Sequence, residues 1–314
     1  MLISPSTGLC MHQHSTSVPI VLIVFNRPSP TKSLLSVVTR IQPSKVFIIA
    51  DGPRPNHPTD RENCQATRDL IDKAQWKGEV LTNYADVNLG CKARISTGLS
   101  WVFDQVDQAI ILEDDCLPHP SFFRFCHELL EYYREDERVM AISGDNFQFG
   151  RRRTQNSYYF SRYPHCWGWA TWKRAWQHYD ADMTLWPQAK SSHWLDGILH
   201  DAAAVKYWHH KFEQTYTKKI DTWDYAWTLA CWLQSGLCIL PNTNLVSNIG
   251  FDAGGTHHTH SHSPFFNMPT VEMPFPLNHP PTVLRNAQAD RFTQAHQFGL
   301  LSRSRRKVRA VLNL

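Results

Sequence analysis

Short apolar runs alternate with longer amphipathic stretches along the first half of the chain. The runs cover residues 18–25, 45–50, 79–84, 109–112 and 139–143, and each leads into polar or glycine-bearing residues. Runs of that length with such flanks predict buried strands, the one at 79–84 being the weakest. Residues 31–41, 60–75, 92–106 and 121–135 read as helices, with Pro28 and Pro30 placed before the first. Strand-helix alternation implies an α/β fold, a mostly parallel sheet flanked by helices.

In such a sheet the C-terminal strand ends share one edge, and open α/β sheets bind ligands there. The five runs lead into Asn26-Arg27, Asp51-Gly52, residues 86–90, Glu113-Asp114-Asp115 and Gly144-Asp145-Asn146. No Gly-x-Gly-x-x-Gly comes after the first run, and no Gly-x-x-x-x-Gly-Lys-Ser/Thr occurs, which excludes the dinucleotide fingerprint and the P-loop. Without a glycine cradle, a metal ion and basic side chains must carry any phosphates. The three consecutive carboxylates 113–115 point the same way. Left alone they repel one another, and a hard divalent cation, Mn²⁺ or Mg²⁺, relieves that repulsion while keeping positions open for substrate phosphates. Lys92 and Arg94, after Gly90, are further cations for a diphosphate, or else ordinary surface charge.

The second half changes character. Ten of the twelve tryptophans fall between Trp167 and Trp232. Trp169, Trp172 and Trp176 fit the i, i+3, i+7 spacing of one helix face. Trp167 and Trp223, beside Gly168 and Asp224, read as loop residues whose exposed rings would stack on a sugar. Beyond Ser263 six prolines up to Pro281 break any periodicity, as in an extended arm over the surface or a linker.

Composition adds three points. The net charge of +4 hides an asymmetry. No acid occurs after Asp290 but six Lys and Arg do, and without them residues 1–290 stand at −2. A near-neutral body with a basic tail fits no nucleic-acid partner, and residues 300–314 read as a basic segment able to rest on anionic membrane or to stay in solution. Eight scattered cysteines without a Cys-x-x-Cys pair, and a polar 1–17 with no apolar core segment, fit free thiols in a reducing cytoplasm. No run approaches a membrane span. The expected organisation is a flexible 1–17, a catalytic domain 18–262 divided at 146/147, and a Pro-rich arm with basic tail at 263–314.

Six segments then carry a resemblance: IVLIVFNRP (20–28), FIIADGP (47–53), ILEDDCLPHPSFFRF (111–125), AISGDN (141–146), CWGWATWKRAW (166–176) and WDYAW (223–227). Over about 18–260 the chain resembles bacterial nucleotide-diphosphosugar transferases similar to N-acetylglucosaminyltransferase I, which have the Rossmann-like GT-A fold. The resemblance implies a metal-dependent inverting transfer from a nucleotide sugar, a UDP-sugar such as UDP-GlcNAc favoured, to a saccharide or lipid-linked saccharide in surface polysaccharide synthesis. It implies that Arg27 meets the donor diphosphate, Asp51 the base, and Glu113 and Asp114 the donor. Asp115 would bind the metal, Trp223 and Trp167 would lie beside the sugar, and Asp224 would be the base. The segment 248–260 matches a loop that orders over the donor, and His257 is the candidate second metal ligand. Tyr225 stands where the named enzyme has a second acid, so acceptor recognition is expected to differ. Three other readings compete. A carbohydrate-binding protein using the tryptophans would not need acids at every strand end. A sugar nucleotidyltransferase usually opens with a glycine-rich basic loop, which residues 25–29 lack. A two-metal phosphoesterase would need more His and Asp ligands.

Overall fold

The computed structural model describes residues 17–250 and 263–299. The first half alternates as its apolar pattern predicts: β1 (Ile20–Val24), α1 (Pro28–Ile41), β2 (Lys45–Ala50), α2 (Asp60–Asp72), β3 (Glu79–Tyr84), α3 (Cys91–Phe103), β4 (Gln108–Glu113), β5 (Cys116–Pro118), α4 (Ser121–Tyr132) and β6 (Val139–Ser143). The second half adds β7 (Tyr158–Ser161), β8 (Trp169–Trp172), α5 (Lys173–Trp176), α6 (Trp186–Ser191), α7 (Trp194–Leu199), α8 (Ala202–Tyr216), α9 (Asp224–Leu233), β9 (Leu237–Pro241), β10 (Val246–Asn248) and α10 (Ala287–Thr293).

Eight strands form one sheet in the order β3-β2-β1-β4-β8-β6-β9-β7. Parallel pairs join β1 to β2 and β4, β2 to β3, and β6 to β9, while β8 and β7 run against their neighbours. The path from β1 through β2 to β3 moves outward on one side, and β4 returns on the other side of β1. The direction of winding therefore reverses between β1 and β4, and a crevice opens beyond their carboxyl ends.

Both faces of this sheet are covered, which is why the strands read as unbroken apolar runs. Val21, Ile23, Phe47, Ile49, Ala109 and Ile111 pack on one side with α3 and the tryptophan-rich helices. Their neighbours Ile20, Leu22, Ile48, Ile110 and Leu112 pack on the other with α1 and α4. Edge strand β3 is only half covered, which accounts for its weak signal.

Two expectations need correction. Trp169 and Trp172 do not share a helix face with Trp176. They belong to strand β8, wedged between β4 and β6, and only 173–176 turn helical. Strand pairing overrides a helical spacing that the three tryptophans meet by coincidence. Trp223 is not an exposed platform either. It is 3% exposed and stacks on Trp169 at 5.4 Å and 24°. Beyond Ser263 the chain is partly extended and partly helical. Met273 and Leu277 are buried against the sheet, Arg285 bridges to Phe160, and α10 comes next. The seven described cysteines are free, and no helix among the described residues is long and apolar enough to cross a membrane.

Helix α3 lies so close to β2 that a Cβ on Gly98 would stand 2.6 Å from Ile49 Cγ2. Gly98→Ala is expected to destabilise the fold by about 1–3 kcal/mol through overpacking. The Ile49→Ala/Gly98→Ala pair should lose less than the sum of the two single changes in urea unfolding.

Candidate active site

The crevice between β1 and β4 is lined by the residues at the carboxyl ends of the strands. Arg27 leaves β1 as the residue before α1, and Nη1 of its guanidinium reaches Asp114 Oδ1 and Asp115 Oδ2, both at 3.1 Å. Glu113 is the last residue of β4, half-buried at the crevice floor. Burial, and then the charges of Asp115, Asp114 and Asp224, push its carboxyl well above the usual glutamate range, against the pull of Arg27. Arg27, expected from the resemblance to meet a donor diphosphate, here contacts the acidic motif directly across 88 residues of chain, a pairing the sequence did not suggest.

Asp224 arrives from the other half. It opens α9, where a carboxylate is favoured by the helix dipole. The Thr222 hydroxyl and the Tyr225 N–H both donate to its Oδ1, the latter at 3.0 Å. Asp224 Oδ2 accepts no hydrogen bond among the described residues, and the residue is half-exposed. One oxygen is fixed and the other is open. Asp224 also stands close enough to Glu113 for its charge to act on it, and the two acids together hold up the thiols of Cys91 and Cys166, behind the larger effect of burial. Both thiols therefore stay protonated at neutral pH.

Asp51 ends β2. Its Oδ1 accepts from the N–H of Gly52 at 2.8 Å and of Leu89 at 2.9 Å; its Oδ2 accepts from Asn88 Nδ2 at 2.9 Å and the Gly90 N–H at 3.1 Å. Burial pushes its carboxyl upward against those donors. With four donors in place, Asp51 holds the loop before α3 against the strand end. Asp221, which the sequence did not single out, takes the next two amides: Cys91 N–H at 2.9 Å and Lys92 N–H at 3.2 Å. Four consecutive amides at the start of α3 are therefore filled by two protein carboxylates. A helix N-terminus normally offers these groups to an anion. Gly90, at φ +83°, makes the turn, and a Cβ there would stand 2.7 Å from Asp221 Oδ2.

Arg94 is not a phosphate ligand. It is 5% exposed and donates to the carbonyls of Ala50 and Asn83 and to Asn83 Oδ1, tying two strand ends together. Asp60 does similar work for β1. It accepts from Asn26 Nδ2 at 2.7 Å and Arg54 Nε at 2.6 Å, and the Arg54 contact holds its carboxyl down to about 2. Trp167 is half-buried, edge-on to Phe147 at 5.0 Å. Among the described residues no three His, Cys, Asp or Glu side chains converge as a metal site. His257, the expected second ligand, lies outside the described residues, as does most of the 248–260 segment. The chain reaches that segment directly over the motif. Strand β10 pairs Asn248 with Cys116, the Ile249 N–H donates to the Asp115 carbonyl at 2.8 Å, and Gly250 lies against Asp115 and Arg27.

No family model and no characterised sequence matches the chain. Among solved structures, the galactosyltransferase LgtC, in complex with donor and acceptor sugar analogs, aligns with a TM-score of 0.34 and 11% identity over 68% of this chain and 70% of its own. Mouse xyloside xylosyltransferase 1 gives 0.35 and 10% over 70% and 84%. The 4-diphosphocytidyl-2C-methyl-D-erythritol synthase of Anaerococcus prevotii gives 0.32 and 10% over 50% and 71%.

Two substitutions test this geometry. A Cβ on Gly250 would fall 2.2 Å from Asp115 Oδ2 and 2.5 Å from Arg27 Nη2. Gly250→Ala is expected to displace both side chains and break the Arg27–Asp115 ion pair in a crystal structure of the variant, with the melting temperature nearly unchanged. Asp221→Ala removes an exposed cap and should cost about 1 kcal/mol of stability. It should also speed amide exchange at residues 91 and 92 but not at 89 and 90, which Asp51 retains.

Proposed function

We propose that the protein is a metal-dependent inverting glycosyltransferase. It would move a sugar from a nucleotide-diphosphate sugar, with UDP-sugars such as UDP-GlcNAc favoured, to a hydroxyl of a saccharide or lipid-linked saccharide. One observation carries this reading. At the point where the sheet reverses its winding, a guanidinium and three carboxylates meet, and a further carboxylate from a distant segment faces them with one oxygen open.

The residues suit each step of that chemistry. Asp224 Oδ2 takes the proton of the acceptor hydroxyl as its oxygen bonds to the anomeric carbon from the face opposite the leaving group. The bond from that carbon to the diphosphate breaks, and its electron pair leaves with the diphosphate. Thr222 and the Tyr225 N–H keep the Asp224 carboxylate aimed. Arg27 stabilises the charge that develops on the departing diphosphate. Glu113, held toward its protonated form by burial and then by its acidic neighbours, is suited to donate a hydrogen bond to a sugar hydroxyl.

The donor set suits a divalent cation. Asp114 and Asp115 offer hard oxygens, and the repulsion felt by Glu113 is what a cation relieves. Mn²⁺ or Mg²⁺ would rest on Asp115, with remaining ligands from water, donor phosphates and, by the resemblance, His257. When bound, it would neutralise the diphosphate and ease its departure.

Nucleoside diphosphates and nucleotide sugars, each with and without Mn²⁺, are expected to raise the melting temperature by mass action, the matching base most strongly. Asp224→Asn should keep that shift and lose transfer by at least about a hundredfold, given a general base worth 10²–10⁴. Arg27→Ala should lose the shift. Absence of any metal-dependent nucleotide shift in the parent protein would sink the reading.

A further inference from the structure

Away from the acidic edge, a cavity of about 820 Å³ opens between α8, α10 and the loop after β7. That volume lies in the range that holds a small organic ligand. Its walls carry Arg162, Lys206, Arg285 and Arg291 against two acids, Asp201 and Asp290. Both acids are already engaged. Asp201 Oδ1 accepts from the N–H groups of Ala203 at 2.8 Å and Ala204 at 3.0 Å, capping α8. Asp290, 3% exposed, accepts from the Ser161 hydroxyl at 2.6 Å and lies 3.4 Å from Arg162 Nε and 3.3 Å from Arg285 Nη1. One carboxylate thus balances two guanidiniums. Lys206 and Arg291 are exposed, and their side chains have no hydrogen-bond or ion-pair partner among the described residues. Tyr163 and Phe298 add apolar wall.

We propose that this cavity binds a small organic anion, one bearing phosphate or carboxylate on a body with an apolar face. Guanidiniums pair with the oxygens of either group in two-point geometry, and the surplus of positive charge here has no counterpart among the described residues. The volume exceeds what an inorganic phosphate fills, and the apolar wall gives a carbon skeleton its place. No residue is shared with the acidic edge, so the site stands whether or not the transfer reading holds. One contact links the two. The Tyr207 hydroxyl, on the cavity wall, lies 3.3 Å from that of Tyr225, the residue after Asp224.

The test is calorimetric titration of the full chain with glucose 6-phosphate, glucuronate and glucose, at low salt and without added metal. At least one anion is expected to bind saturably and glucose not at all. The exposed pair Lys206→Gln/Arg291→Gln should weaken that binding at least about tenfold, the loss of one charge-assisted hydrogen bond, each single change giving part of it. Arg27→Ala should leave it unchanged. The proposal is overturned if neither anion binds, if glucose binds equally well, if the double variant binds like the parent with an unchanged melting temperature, or if Arg27→Ala abolishes binding.

Discussion

The sheet edge concentrates more negative charge than the cation beside it answers. Arg27 meets Asp114 and Asp115, while the Glu113 carboxyl beneath them is pushed upward, by burial first and then by the charges of Asp115, Asp114 and Asp224. Charges withdrawn from water cannot be left so without cost. The backbone enforces the arrangement. Glu113 closes a strand buried on both faces, Asp114 and Asp115 turn the chain into β5, and β10 locks that turn from above. An edge held in this state favours whatever brings positive charge to it.

A second constraint keeps the two halves in register. The start of α3 has its amides taken in pairs, Leu89 and Gly90 by Asp51 of the first half, Cys91 and Lys92 by Asp221 of the second. The segment 221–224 that delivers Asp224 is thereby anchored to the loop beside the crevice. Because these amides are filled, the start of α3 does not offer them to an anion. The tryptophans serve the same rigidity. Trp223 stacks on Trp169, which sits between β4 and β6, so the residue before Asp224 is fixed to the sheet itself.

The chemistry of the acidic edge and that of the cavity differ in sign. The acidic edge gathers carboxylates, while the cavity lined by α8 and α10 gathers guanidiniums around Asp290. The Tyr207–Tyr225 contact is the short path between them. The segment after Ser263, whose prolines suggested only an arm, supplies Arg285, Asp290 and Arg291 to that cavity.

The sequence by itself determined the first five long strands, the helices between them and the placing of the acidic motif at a strand end. Those features rest on local patterns, because a strand covered on both faces must be apolar throughout and a turn at its end must be polar. It also carried the resemblance that named Arg27, Asp51, Glu113, Asp114, Asp115, Trp167, Trp223, Asp224 and His257. Only the tertiary structure decided which of these meet. Arg27 joins the motif across 88 residues and Asp221 reaches Cys91 across 130, and no periodicity records pairings at such separations. Arg94, which read as surface charge or a phosphate cation, is neither, its partners being carbonyls of β2 and β3, and Trp172 looked helical until β4 claimed it as a strand. A residue type states what chemistry is possible, but hydrogen-bond partners and burial, set by distant parts of the chain, decide whether that chemistry faces a ligand or holds the fold together.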